Sequence, residues 1–378
     1  MNKKLMIIAG EASGDLHGAL LISELKKIDQ SIKIFGIGGD RMIAAGMNPQ
    51  YHIKRMAFLG FVEVIRHLPF IKKVQKDIIA KVKSEDIGTI VLIDYPGFNL
   101  DIAKKLKKMN KKIIYYISPQ VWAWGKGRIK KIKELVDKMI VVFPFEEKLY
   151  KENDIDAEYV GHPLLEHIAA YNFLSRDELF EKLNLDKAKN ILLVMPGSRK
   201  HEIRKLFPAS IDAAVKLARE FNLHVVVACA ENIDEKIFSG MTEKTNFKLI
   251  KGLTYDLLKY SCFGIIKSGT STLEAGIFQL PFIVIYSTNA LTYYLGRMLI
   301  RIKNIAMANI ILGENIVNEL IQKEVNSANI YTICKSLLSD KAKYEKIRLK
   351  LGEIKNKLGS TGASKRAAEI IFTQLNEA

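Results

Sequence analysis

Asp94 is the first polar residue after the apolar run Val91-Leu92-Ile93, within Ile93-Asp94-Tyr95-Pro96-Gly97-Phe98-Asn99. A carboxylate held at a strand end and partly removed from water has its pKa raised towards the range of a general base. Pro96 and Gly97 supply the turn, and the competing reading is a helix cap at Asp94 or Asn99. A second loop, Ser118-Pro119-Gln120-Val121-Trp122-Ala123-Trp124, carries both tryptophans of the chain two residues apart. It is a poor core sequence, and such amphipathic rings suit a sugar face or a membrane interface. Lys126–Lys133, a basic run, follows directly.

Two turns in the second half have a different character. Met195-Pro196-Gly197-Ser198-Arg199 and Lys267-Ser268-Gly269-Thr270-Ser271-Thr272-Leu273-Glu274 each follow an apolar run and open a helix-like stretch. Small residues bring a ligand close to the backbone, and the N–H groups of a helix start favour an anion. Arg199 can add a bidentate contact to phosphate. Two such turns predict a nucleotide diphosphate site, with Glu274 one turn in to accept the hydroxyls of a ribose. The opening turn, Gly10-Glu11-Ala12-Ser13-Gly14-Asp15, looks like a third phosphate loop, but Glu11 and Asp15 would repel a diphosphate. It reads better as a wall beside Asp94 than as a phosphate cradle.

Short apolar runs must position these groups. They are Leu5–Ala9, Ile32–Ile37, Thr89–Ile93, Lys112–Ile117 and Lys138–Phe143, then Asn190–Met195, His224–Ala228, Phe247–Ile250, Gly264–Ile266 and Phe282–Ile285. Rich in Ile and Val and with little alternation, they predict parallel strands covered on both faces. Helix-period stretches lie between them, such as 203–218, where Pro208 is expected to kink the helix. The fold class is α/β, with two doubly wound parallel-sheet domains built from βαβ units. Boundaries are expected at 1–170 and 171–345, with a helical tail over 346–378. Ligands should then sit in a cleft at the carboxyl ends of both sheets.

The bulk properties agree. A chain of 378 residues exceeds one ordinary core, and 48% hydrophobic with 26% charged residues describes a globular protein. No apolar run approaches the roughly 18 to 20 residues that span a bilayer. The start imitates a signal peptide but stops at Glu11, so a strand and a cytoplasmic location are expected. Net charge is +17 and uneven: residues 1–150 hold 27 basic against 15 acidic side chains. That half should meet something anionic. Residues 56–83 combine Phe58, Leu59, Phe61, Val62 and Phe70 with Lys72 and Lys73, the pattern of an interfacial patch on an anionic membrane. Nucleic acid is disfavoured, because the aromatics are not interleaved along a basic stripe.

Several patterns fail. There is no Walker motif, Gly36-Ile37-Gly38-Gly39 lacks the rest of a dinucleotide fingerprint, and Asp154-Ile155-Asp156 sits in a polar turn. The three cysteines are isolated, and no residues have metal-ligand spacing, so neither metal nor cofactor is expected. His162 and His201 are candidate polar contacts, while His17, His52, His67, His167 and His224 read as surface or satisfied residues.

Taken together, AGEASGD, FLGFVEV, IDYPGFN, YYISPQVWAW, PFE, YVGHPL, LLVMPGSRKHEI and IIKSGTSTLEAG resemble, in order and spacing, the lipid A disaccharide synthase family over about residues 5–330. The resemblance implies the GT-B arrangement, with the last helix crossing back onto the first domain. It implies inverting, metal-independent transfer from UDP-2,3-diacylglucosamine to 2,3-diacylglucosamine 1-phosphate (lipid X), with Asp94 as the base or part of it. Glu11, Ser13, Asn99, Ser118, Trp122 and Trp124 fall on the acceptor side. Gly197, Ser198, Arg199, Ser268, Gly269, Thr270, Ser271, Thr272 and Glu274 fall on the donor side. The segment 304–322 resembles one that closes over the donor, which adds Asn309, Glu319 and Gln322. Ala308 stands where the family usually has Pro, and Gly97 replaces a bulkier residue. Family members are peripheral on the cytoplasmic face of the inner membrane, with its anionic lipids as partners, and a homodimer is compatible with this reading. The alternatives are another GT-B enzyme acting on UDP-GlcNAc, as glycan transferase or 2-epimerase, and a non-catalytic lipid or nucleic-acid binder.

Overall fold

The computed structural model describes residues 3–56, 67–119, 121–122, 127–239, 246–289 and 304–377. The chain divides into two compact units: Met1–Ala169 with Leu358–Ala378, and Ala170–Tyr294 with Ile302–Lys357.

The first unit holds seven parallel strands: β1 (Lys4–Ala9), β2 (Lys33–Gly38), β3 (Met47–His52), β4 (Thr89–Ile93), β5 (Lys112–Tyr116), β6 (Lys138–Val141) and β7 (Ala157–Tyr159). Their order is β3-β2-β1-β4-β5-β6-β7. The winding reverses between β1 and β4, so the switch point lies where Ala9 pairs with Ile93. Leu5 to Ala9 and Ile90 to Ile93 are fully buried, because helices cover the sheet on both faces.

The second unit has six parallel strands: β8 (Asn190–Met195), β9 (Leu223–Cys229), β10 (Lys248–Lys251), β11 (Ser261–Lys267), β12 (Phe282–Tyr286) and β13 (Glu319–Ile321). Their order, β10-β9-β8-β11-β12-β13, places the switch point between β8 and β11, where Met195 pairs with Ile266.

The strands β3, β7 and β13 had no counterpart in the apolar runs. All three are edge strands, and the Met-Asn-Pro-Gln-Tyr-His of β3 is too polar to announce one. Its Pro49 is tolerated at an edge, where one side needs no ladder partner. The helix Lys200–Phe221 runs through Pro208 as one element. Within the expected tail, the helix Lys341–Lys357 belongs to the second unit, and only the helix Ala363–Asn376 packs on the first, against the helix Ala12–Ile28. Arg366 fastens it there, donating from Nε at 2.8 Å and Nη2 at 2.6 Å to the Val160 carbonyl. Among the described residues, no helix is long and apolar enough to cross a membrane.

Candidate active-site residues

In the first unit, chain geometry at the switch point is unusual. Asp94 and Tyr95 both have positive φ, 45° and 47°, and Ile117 at the end of the neighbouring strand has 61°. Left-handed backbone is costly for residues with side chains, most of all for a β-branched one, and persists only where surroundings over-determine it. Those surroundings are visible. The Asp94 carbonyl accepts from Asn99 Nδ2 at 2.7 Å and from Tyr115 Oη at 2.5 Å. Tyr95 Oη donates to the Met56 carbonyl at 3.0 Å. A methyl group on Gly10 would lie 2.2 Å from the Tyr95 ring, so only glycine fits there.

The result is an Asp94 side chain turned off the strand end and half-buried. Burial, and then the negative charge of Glu11, push its carboxyl up to about 7, against an opposing contribution from the Tyr95 N–H. Glu11 and Ser13 are also half-buried, at the start of the helix Ala12–Ile28. Asn99 differs from expectation. It is wholly buried, Nδ2 also reaches the Ile93 carbonyl at 3.2 Å, and it props Asp94 from behind with no polar atom at the surface. Neither Asp94 nor Asn99 is the cap residue of the helix Pro96–Lys107; Tyr95 holds that position.

The opening turn also divides its acids. Asp15 is buried and accepts from the N–H groups of Gly39 at 2.6 Å, Arg41 at 3.3 Å and Met42 at 3.1 Å. It therefore holds Gly36-Ile37-Gly38-Gly39 and the short helix Asp40–Ala44. A methyl group at Gly39 would meet the Asp15 carboxylate at 2.6 Å, which accounts for the glycine.

The tryptophan loop hangs on a residue to which the motif reading gave no role. Glu146, 1% exposed, accepts from Ser118 Oγ at 2.7 Å, Trp122 Nε1 at 3.1 Å and the Phe143 N–H at 3.3 Å. Burial raises it to about 7, opposed by those hydrogen bonds. Ser118 is buried by this use, Trp122 stands edge-on to Phe145 at 5.4 Å, and Trp124 lies outside the described residues. The available signal was the Pro-Phe-Glu tripeptide after a strand.

The histidine expectation needs correcting too. His17 is buried against His162, rings 6.1 Å apart, and its Nδ1 has no hydrogen-bond partner. Burial lowers His17 to about 4 and His162 to about 3, so both stay neutral.

The second unit presents its two turns from adjacent strands. Gly197 has φ 129° and Gly269 has φ 150°, conformations open to glycine. Ser198 and Thr270 are exposed, and Arg199, Gly269 and Ser271 half-buried. Glu202 organises the first turn: it is 5% exposed and accepts from the Ser198 N–H at 3.2 Å and Arg199 Nη1 at 3.2 Å. Lys267 Nζ joins the same carboxylate at 2.8 Å. Burial alone would raise Glu202, but Lys267 and Arg199 outweigh it and hold the carboxyl below its usual value. Glu274 lacks such compensation; burial pushes it up to about 7, eased by Tyr255 Oη at 3.5 Å.

Other donor-side expectations meet a different arrangement. Thr272 is buried, donating to the Gly269 carbonyl at 2.8 Å and accepting from the Met307 N–H at 3.1 Å. Ser268 Oγ is used on the Ile305 carbonyl at 2.9 Å. Asn309 is fully buried; Oδ1 accepts from the N–H groups of Ile316 at 2.8 Å and Val317 at 2.9 Å, and Nδ2 serves the Val317 carbonyl, Asn315 and Glu319. A side-chain amide has no capacity left after that. Glu319 accepts from the N–H groups of Ile305 and Ala306, at the start of the helix Met307–Leu312. Gln322 Oε1 accepts from Ser287 Oγ at 3.0 Å and the Thr288 N–H at 2.9 Å. These three residues knit the segment 304–322 to the sheet.

Of the interfacial patch, Phe58, Leu59, Phe61 and Val62 lie outside the described residues. Lys72 and Lys73 are exposed, but Phe70 is half-buried, edge-on to Tyr51 at 6.0 Å and 5.3 Å from the Arg55 guanidinium. Among the described residues, no group of three or more His, Cys, Asp or Glu could hold a metal ion.

Comparison with known proteins bears on what this layout serves. Residues 5–371 match the family model described as lipid-A-disaccharide synthetase. The lipid-A-disaccharide synthase of Geobacter metallireducens is 37% identical, with 100% of this chain and 98% of that protein aligned. That of Syntrophus aciditrophicus is 38% identical, covering 100% and 99%. Among solved structures, UDP-GlcNAc 2-epimerase from Neisseria meningitidis bound to UDP-GlcNAc aligns with a TM-score of 0.67 at 13% identity, over 98% of this chain and all of that one. The calicheamicin glycosyltransferase aligns with a TM-score of 0.62 at 14% identity, over 100% and 99%. The shared fold is GT-B.

Proposed function

The chain belongs to the lipid-A-disaccharide synthetase family, and on that premise we propose how this glycosyltransferase divides its work. The donor is UDP-2,3-diacylglucosamine and the acceptor is 2,3-diacylglucosamine 1-phosphate. The acceptor 6-hydroxyl oxygen attacks the anomeric carbon of the donor sugar. The bond from that carbon to the diphosphate oxygen breaks, and its electron pair leaves with UDP. Asp94 takes the hydroxyl proton, and the new β-1,6 bond has inverted configuration. General-base assistance of this kind contributes roughly 10²–10⁴-fold.

One observation carries the assignment: Asp94 is a carboxyl raised to about 7, set by strained backbone at the switch point of the first sheet. Glu11, whose charge acts on Asp94, and Ser13 in the same turn serve as acceptor contacts. On the donor side, the N–H groups at Gly197–Arg199 and Gly269–Ser271, with the Arg199 guanidinium, suit a departing diphosphate. Glu274 accepts from the ribose. The exposed Lys72 and Lys73 favour attachment to anionic lipids on the cytoplasmic face of the inner membrane. The test is to incubate purified protein with both acylated sugars in detergent and weigh the products. Wild type should yield the disaccharide 1-phosphate. Asp94→Asn should yield at least about a hundredfold less while still binding UDP. Disaccharide formed by the variant at near wild-type rate would remove Asp94 from the mechanism.

A further inference from the structure

We infer that Lys267 is a second cation for the donor's diphosphate, held by Glu202 at the join of the two turns. The inference rests on the donor reading above and adds a residue to it. Lys267 is the last residue of β11, one position beyond the Ile266–Met195 pair, so it emerges at the switch point beside the Pro196–Arg199 turn. Its side chain is only 16% exposed, unusual for a lysine. The ammonium lies 2.8 Å from Glu202 and 3.6 Å from where a Gly269 methyl group would be. It thus touches the residue that orders the first turn and borders the glycine that opens the second.

Glu202 draws Lys267 and Arg199 together beside the start of the helix Thr270–Ile277. One Glu202 oxygen engages both cations and the other accepts the Ser198 N–H. An ammonium has three donors, and the Glu202 contact uses one. A diphosphate seated on the two turns would meet the remaining donors. Glu202 is then a positioning residue: it fixes both cations and does not itself touch the anion.

Binding of UDP and of uridine by the purified full chain, followed by titration calorimetry, tests this. Lys267→Met should weaken UDP at least about tenfold, the scale of one charge-assisted hydrogen bond, and leave uridine, which has no phosphate, unchanged. That single variant strands the buried Glu202 carboxylate, so Lys267→Met with Glu202→Gln is measured as well. The double variant carries no stranded charge and serves where the single one fails to fold. It should remain at least about tenfold weaker than wild type. If the double variant recovers wild-type affinity for UDP, Lys267 merely neutralises Glu202 and the inference is overturned. Equal loss of uridine and UDP would overturn it too. A wild type that fails to bind UDP would remove the donor reading itself, and the inference with it.

Discussion

At the scale of single residues, the first unit places two carboxyls, Glu11 and Asp94, close enough to feel each other. The proposed base works only when ionised, so transfer should rise with pH along an acidic limb centred near 7. Burial is the larger cause of that position and Glu11 the next. Removing the Glu11 charge makes ionisation of Asp94 easier, so Glu11→Gln should move the limb to lower pH, by about one unit or less. A pH profile of kcat/KM in which the limb stays put or moves up would contradict the assignment. The place of Asp94 was legible from the sequence, because a polar residue directly after three apolar ones marks a strand end. Its support was not: Asn99, Tyr115 and Gly10 act through distances that no spacing rule encodes. Asp15 looked like an anion-repelling wall and is instead the acceptor for three N–H groups from a turn 24 to 27 residues on.

Among the elements, the segment 304–322 is where motif and structure part. A polar residue in a recognised motif invites a ligand role, yet Asn309 spends its whole amide on the chain. Asn309→Ala strands the N–H groups of Ile316 and Val317 in a buried place. We expect a loss on the order of 3 kcal/mol in unfolding free energy, read by denaturant titration. A variant of full stability with selectively weakened UDP would restore Asn309 to the donor site. The ten strands that coincide with apolar runs were readable because unalternating Ile and Val runs of that length mark parallel strands covered on both faces. The edge strands β3, β7 and β13 had no such run, since pairing to one neighbour asks little of composition. Glu146 went unassigned for a related reason: its partners Ser118 and Trp122 are 28 and 24 residues away, joined only once β5 and β6 pair.

Over the whole molecule, charge is the property that the sequence states outright: +17, concentrated in the first 150 residues. Attraction of exposed lysines to anionic lipid is screened with a Debye length of about 10 Å at 0.1 M salt. Co-sedimentation with anionic vesicles should therefore fall steeply between about 0.05 and 0.5 M salt, and Lys72→Ser with Lys73→Ser should weaken it further. Salt-insensitive sedimentation would point to a purely apolar attachment. The tail helix Ala363–Asn376 has a consequence for the order of events during synthesis. The first unit is split in sequence, and the His162 N–H meets the Leu358 carbonyl at 3.2 Å where its two pieces rejoin. While the ribosome is still translating residue 357, the strands of the second unit are already made, whereas the helix Ala12–Ile28 still lacks its covering partner. The unit that is begun first is the one finished last. The surface that awaits Ala363, Ala367, Ala368 and Ile371 is one the nascent chain must keep from other partners until those residues emerge.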